Sequence, residues 1–245
     1  MMKKLIIGLF AFLPTLSMAS GPDVELQHAK IDLTDKASLQ RGAKLFMNYC
    51  LGCHQMQYQR YERTFRDIGI PVEIGKEQLI FDGSKVGSHI LNAVKKDDAA
   101  KWFGAAPPDL TLIARVKSPD YIYTYLKSFY KDESRPFGVN NIVFPSVGMP
   151  HVLQELQGLP TPVTHEVEEH GHKVTKVVGT EVDGSGELST DEYDQAARDI
   201  TNFLEYVGEP TRLTSESIGI KVLGFLVILF ILAFLLKKEY WRDVH

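Results

Sequence analysis

Apolar residues recur along this chain at helical spacing in two places and run unbroken in two others. After Asp35, a capping residue, the positions Leu39, Gly42, Ala43, Phe46 and Cys50 return once per helical turn, which predicts an amphipathic helix ending near residue 50. A second stripe follows the capping box Ser189-x-x-Glu192: Ala196, Ala197, Ile200, Phe203, Leu204 and Val207 share a face until Gly208 and Pro210 end the helix. Gly42 permits close approach of this last helix and Phe46 packs beside it, so helices from opposite ends of the domain are expected to meet in one core. Between them, Val174, Val177, Val178 and Val182 alternate near His165, His170 and His172, which stand among Glu166, Glu168 and Glu169. That stretch reads as a solvated loop or hairpin rather than a metal site. The oxygen-rich stretch from Asp183 to Asp194 is not a calcium loop, because Leu188 stands where the sharp turn needs glycine and the terminal glutamate is missing. The fold class is mainly α, with loop or hairpin insertions.

The unbroken apolar runs lie at the ends. Lys3 and Lys4 precede an apolar stretch from Leu5 to Leu16 and the small pair Ser17-x-Ala19, so residues 1–19 read as an export signal with a mature chain beginning near Ser20. Residues 218–236 are apolar on every face, and at about 1.5 Å per residue they reach roughly 28 Å, the thickness of a bilayer core. Lys221 lies near one end of this run, where its stem can carry the ammonium to the interface. Lys237, Lys238 and Arg242 follow with Tyr240 and Trp241, which predicts a cytoplasmic tail at 237–245. The expected layout is an exterior domain at 20–217, one membrane-crossing helix and an inside tail.

Charge and cysteine usage sharpen this picture. Residues 20–217 hold 21 Lys and Arg against 29 Asp and Glu, a net charge of −8, which argues against a nucleic-acid partner and for a basic one. An exported chain with two cysteines would ordinarily carry a disulfide. Here both fall in Cys50-Leu51-Gly52-Cys53-His54, the C-x-x-C-H attachment signature of c-type haem. Residues three and four apart share a helix face, so both thiols can reach the vinyl groups on one side of a porphyrin while His54 approaches the iron. A zinc site would need a second cysteine pair, and a thioredoxin-like site would need a preceding strand.

A second axial ligand can be sought by elimination. Met1, Met2 and Met18 belong to the signal; Met47 lies one turn before Cys50 on the same helix; Met56 is two residues past His54. Met149 remains, between Gly148 and Pro150 in a stretch expected to be extended and irregular. A gap-filling role is the ordinary alternative for a methionine, and His151 or His89 would instead give a bis-histidine iron.

The pattern resembles the class I cytochrome c fold, in which an N-terminal helix ending in the haem motif crosses the C-terminal helix. Three further segments resemble the cytochrome c1 family of the cytochrome bc1 complex: Gly104-Ala105-Ala106-Pro107-Pro108-Asp109-Leu110-Thr111; Phe144-Pro145-Ser146-Val147-Gly148-Met149-Pro150; and Asp191-Glu192-Tyr193-Asp194, opening a helix that ends in Tyr206-Val207-Gly208-Glu209-Pro210 before the anchor. The resemblance implies one covalently bound haem c, with iron held by His54 and Met149 and Pro108 walling the ring. It also implies an arginine, Arg115, pairing with a haem propionate, with Lys117 as the competing residue. A His/Met iron has no open position, so its work is outer-sphere electron transfer. The chain would not be an enzyme alone. It would take electrons from the Rieske iron-sulfur protein and pass them to a soluble or tethered cytochrome c, beside cytochrome b in a dimeric complex. The setting would be a bacterial inner membrane with the haem domain in the periplasm. An anchored cytochrome serving another dehydrogenase or terminal oxidase, or a haem-based ligand sensor, are the other readings.

Overall fold

A computed structural model of the chain describes residues 24–169 and 172–242. The export segment read at residues 1–19 lies outside them. Helix α1 (Lys36–Leu45) begins where the Asp35 carboxylate accepts from the Ser38 amide at 3.0 Å, and runs directly into a π turn, Phe46–Cys50. Strand β1 (Met56–Arg60), helices α2 (Tyr61–Ile68) and α3 (Val72–Leu79) and strand β2 (His89–Ile90) form the next excursion, β1 pairing antiparallel with β2. Helix α4 (Lys96–Phe103) leads into the proline-rich segment, then come α5 (Ile113–Lys117) and α6 (Pro119–Lys127). A short antiparallel pair, β3 (Phe129–Lys131) and β4 (Val139–Asn141), precedes the single turn α7 (Gln154–Gln157). A long hairpin of β5 (Thr161–Glu169) and β6 (His172–Glu181) is followed by α8 (Thr190–Gly208) and α9 (Arg212–Tyr240).

The core is the crossing of α1 and α8. A Cβ on Gly42 would sit 2.0 Å from the Asp199 carbonyl oxygen, so only glycine lets the two backbones approach this closely. Phe46 lies against Phe203 with ring centroids 5.9 Å apart, and Leu39, Ala43, Ala197, Ile200 and Leu204 are buried around them. Asp199 is buried at the same crossing yet fully partnered: its carboxylate accepts from Ser38 Oγ at 2.7 Å, Arg41 Nε at 2.6 Å and Gln195 Nε2 at 2.8 Å. Those donors offset the cost of taking the charge out of water. Helix α8 starts at the capping box of Ser189 and Glu192. It is tied to α6 by Tyr193, whose hydroxyl donates to the Leu126 carbonyl at 2.8 Å.

The histidine-rich stretch is a two-stranded hairpin with a bulge between Val163 and Thr164, joined to the body where the Lys131 amide donates to the Pro160 carbonyl at 2.8 Å. At the other end, Thr214–Tyr240 within α9 is long and apolar enough to cross a membrane, and its most apolar stretch holds no buried residue. It extends past the apolar run at 218–236 because the flanking Thr214 to Ser217 and Lys237 to Tyr240 keep helical geometry. The architecture is a class I cytochrome c-like helical domain with insertions, followed by one membrane-anchoring helix.

Candidate functional site

The motif occupies the turn that leaves the π segment rather than the body of a helix. The Leu51 amide reaches back five residues to the Phe46 carbonyl at 3.0 Å, and the Cys53 and His54 amides both donate to the Cys50 carbonyl, at 3.1 and 2.8 Å. The three side chains are thereby gathered on one wall of a cavity of about 370 Å³. Neither cysteine is in a disulfide, and burial pushes the Cys50 thiol up to about 12.

The opposite side of the His54 ring is fixed by the proline-rich segment. Leu110 donates its amide to the Gln55 carbonyl at 2.9 Å, and the Asp109 carboxylate accepts from the amides of Gln57 at 2.8 Å and Thr111 at 2.9 Å. This bracket holds the Pro108 carbonyl where His54 Nδ1 donates to it at 2.8 Å. Burial lowers the imidazole pKa, outweighing the Pro108 bond and the Asp109 charge, so His54 stays neutral with its Nε2 lone pair free. An imidazole oriented through Nδ1 to a carbonyl is the usual state of a metal-ligating histidine.

Met149 lines the same cavity, in an irregular loop. The loop is held from outside the cavity. Arg135 Nη2 donates to the Ser146 carbonyl at 2.8 Å, Asn140 Oδ1 accepts from the Ser146 amide at 2.8 Å, and Asn141 Oδ1 accepts from the Val143 amide at 2.9 Å. Gly148 packs so tightly that a Cβ there would lie 2.6 Å from the Phe103 carbonyl oxygen. Tyr125, on α6, lines the cavity too and donates its hydroxyl to Met149 Sδ at 3.3 Å. Burial pushes that phenol well above its usual range, so it keeps its proton.

The remaining sequence candidates separate cleanly. Met47 and Met56 are buried in the core and line no part of the cavity. His151 is stacked on Phe129, ring centroids 4.8 Å apart, and His89 sits in β2; neither lines the cavity. Pro107 and Pro108 form part of the wall. Arg115 is turned toward Glu209, Nη1 to Oε2 4.0 Å, and lies outside the lining, whereas Lys117 is part of it. Tyr125, Arg135, Asn140 and Asn141 were not singled out by the sequence: Tyr125 meets Met149 from a different element, Arg135 reaches Ser146 across a loop, and the asparagine bonds are irregular turn contacts that no repeating pattern announces.

The donor set fits a haem: two thiols, a neutral imidazole and a thioether line one cavity whose remaining lining is mostly apolar, made of proline, leucine, valine and aromatic side chains. Crossed terminal helices around such a cavity define a class I c-type cytochrome domain, here carried on a membrane anchor. The comparisons narrow this further, and the chain belongs to the cytochrome c1 family. The Cytochrome C1 family model matches residues 76–244. The haem motif lies ahead of that range, but relatives match across it. Cytochrome c1 of Allochromatium vinosum is 56% identical over 245 residues, covering 100% of both chains. A protein of Nitrosomonas europaea named ammonia monooxygenase gamma subunit is 42% identical, covering 100% of this chain and 99% of its own. The cytochrome b/c1 protein of Bradyrhizobium diazoefficiens is 26% identical, over 86% of this chain and 34% of that longer one. Family membership implies a covalently bound haem c.

Proposed function

We propose that this chain is the haem-bearing electron-transfer subunit of a cytochrome bc1 complex, carrying one haem c on Cys50 and Cys53 with His54 and Met149 as iron ligands. The observation that carries this reading is the convergence of those four side chains on one apolar cavity. Bound haem supplies reversible one-electron chemistry between ferric and ferrous iron. The protein's part is to hold it. His54 is oriented by Pro108, Met149 is presented by the Arg135 and Asn140 clamp, and Lys117 is the cation at the cavity for a propionate. With His54 and Met149 both holding the iron, the site would pass electrons rather than bind exogenous ligands.

In this reading residues 1–19 direct export, the haem domain lies in the periplasm, and the Lys237, Lys238 and Arg242 tail stays in the cytoplasm of a bacterial cell. Electrons come from the Rieske protein and leave to a soluble or tethered cytochrome c drawn by the acidic exterior. The likeness to a chain named for both cytochrome b and c1 supports cytochrome b as the membrane neighbour in a dimeric assembly. The Nitrosomonas relative's name suggests a second reading, a subunit of an ammonia-oxidising complex. Affinity isolation of the full chain from its native membranes, followed by identification of its companions, decides between them. Recovery of cytochrome b and a Rieske protein is the expected result; recovery of monooxygenase subunits without them would transfer the chain to the other complex.

A further inference from the structure

We propose that the outer face of α5 rests in the headgroup layer of the bilayer, so that the haem domain touches the lipid surface beside its own anchor rather than standing clear of it on α9. The inference rests on α9 as the membrane anchor. Leu112, at the start of α5, and Val116 stand four residues apart and share one face of the helix. That face is bare, with Val116 73% and Leu112 44% exposed. Strand β1 adds a third side chain to the same surface, since the Tyr58 amide donates to Thr111 Oγ1 at 3.4 Å and Tyr58 is 68% exposed. The other faces of α5 are occupied. Ile113 and Lys117 line the cavity, and Ala114 is buried at the end of α8, where a Cβ on Gly208 would meet the Ala114 Cβ at 3.9 Å. Ala114 and Val116 lie about 200° apart around a helix, so the apolar ridge points away from α8.

The anchor begins close to this ridge. Arg115, beside it on α5, reaches Glu209 with Nη1 4.0 Å from Oε2. The stretch apolar enough to cross a membrane starts five residues later at Thr214, which leaves Glu209 within roughly 18 Å of that point even along a fully extended chain. The connection is also braced. Arg212 Nη1 donates to Glu205 Oε1 of α8 at 2.6 Å and its Nε to Glu216 Oε1 of α9 at 3.0 Å, so one guanidinium ties the two helices across Pro210. A domain tethered in this way meets lipid at high effective concentration, and a weak interfacial affinity is enough to seat it. Apolar side chains with a tyrosine and an arginine beside them match the boundary between acyl chains and phosphates. A protein companion is the poorer fit, because a stable protein interface buries about 800 Å² on each partner and three side chains supply a small part of that.

The test uses the full haem-loaded chain in bilayer discs of phosphatidylethanolamine and phosphatidylglycerol, with a nitroxide spin label on the Val116→Cys variant. Cys50 and Cys53 carry the haem in that form, so the new thiol takes the label. Collisions with oxygen, which concentrates in lipid, are compared with collisions with a water-soluble nickel chelate. The label is expected to meet oxygen several-fold more often than the chelate. A label that meets the chelate as freely as one in water overturns the proposal. So does a label open to the chelate in discs but shielded from both reagents in the labelled complex isolated from native membranes, which would assign the face to a protein companion. Should Val116→Cys fail to load haem, Tyr58→Cys carries the label on the same surface with the same expectation. Failure of α9 as the anchor is distinguishable, since the chain would then not enter the discs at all.

Discussion

At the scale of single residues, the site is a set of side chains each oriented by a second one. His54 faces the cavity because Pro108 holds its Nδ1, and Met149 faces it because Gly148 allows the loop to pass Phe103 and Arg135 ties the loop down. Replacing Met149 by leucine keeps Cys50, Cys53 and His54, so haem should stay covalently attached. The weak sulfur-to-iron band near the red end of the oxidised spectrum should disappear, and the midpoint potential should fall as the ligand favouring ferrous iron is removed. A variant with a wild-type spectrum and potential would move attention to another ligand. The motif was legible in the sequence because its chemistry is local: three residues within one turn. Met149 was reachable by exclusion. The choice between Arg115 and Lys117 was not, since two positions on α5 lie roughly 200° apart around a helix and only the packing of that helix decides which faces the cavity. In the structure α5 packs against the end of α8, which turns Arg115 to Glu209 and leaves the exposed Lys117 at the cavity lining.

At the scale of elements, the crossing of α1 and α8 was foreseen down to its contact residues, because capping, periodicity and a glycine on the buried stripe all act locally. The π turn was not, and neither was the small β3–β4 pair, whose strands are too short to show alternation. Gly42→Ala tests the crossing. Its methyl would collide with the Asp199 backbone, which cannot swing aside as a side-chain tip could, so a loss of about 3 kcal/mol is expected by overpacking. Chemical denaturation of the haem-loaded protein measures it, and a change near zero would mean the helices separate without cost. A second joint, between α6 and α8, is electrostatic. Burial alone would raise the Asp194 carboxyl, but hydrogen bonds from Lys127 and Tyr123 and the charges of Lys127 and Arg198 hold it below its usual value. A depressed carboxylate contributes stability above its unfolded pKa and loses it as pH falls through the lower folded value. Asp194→Asn should therefore cost about 1 kcal/mol at neutral pH and progressively less as pH falls below 3.8. Equal losses at neutral and strongly acid pH would show that the joint is not held by charge.

At the scale of the whole molecule, an acidic haem domain is joined through α8 and Pro210 directly to the membrane helix α9, with little chain between the two. The anchor and the order of motifs were legible from hydropathy and spacing, whereas partners are written in surfaces that no local pattern encodes. We propose that this chain relays electrons in quinol oxidation. Its most direct test is to mix quinol rapidly with native membranes containing the chain and follow the absorbance of its haem, with cytochrome c then added. The haem is expected to be reduced within one turnover and reoxidised on addition of cytochrome c. A haem that stays oxidised while quinol is consumed would contradict it.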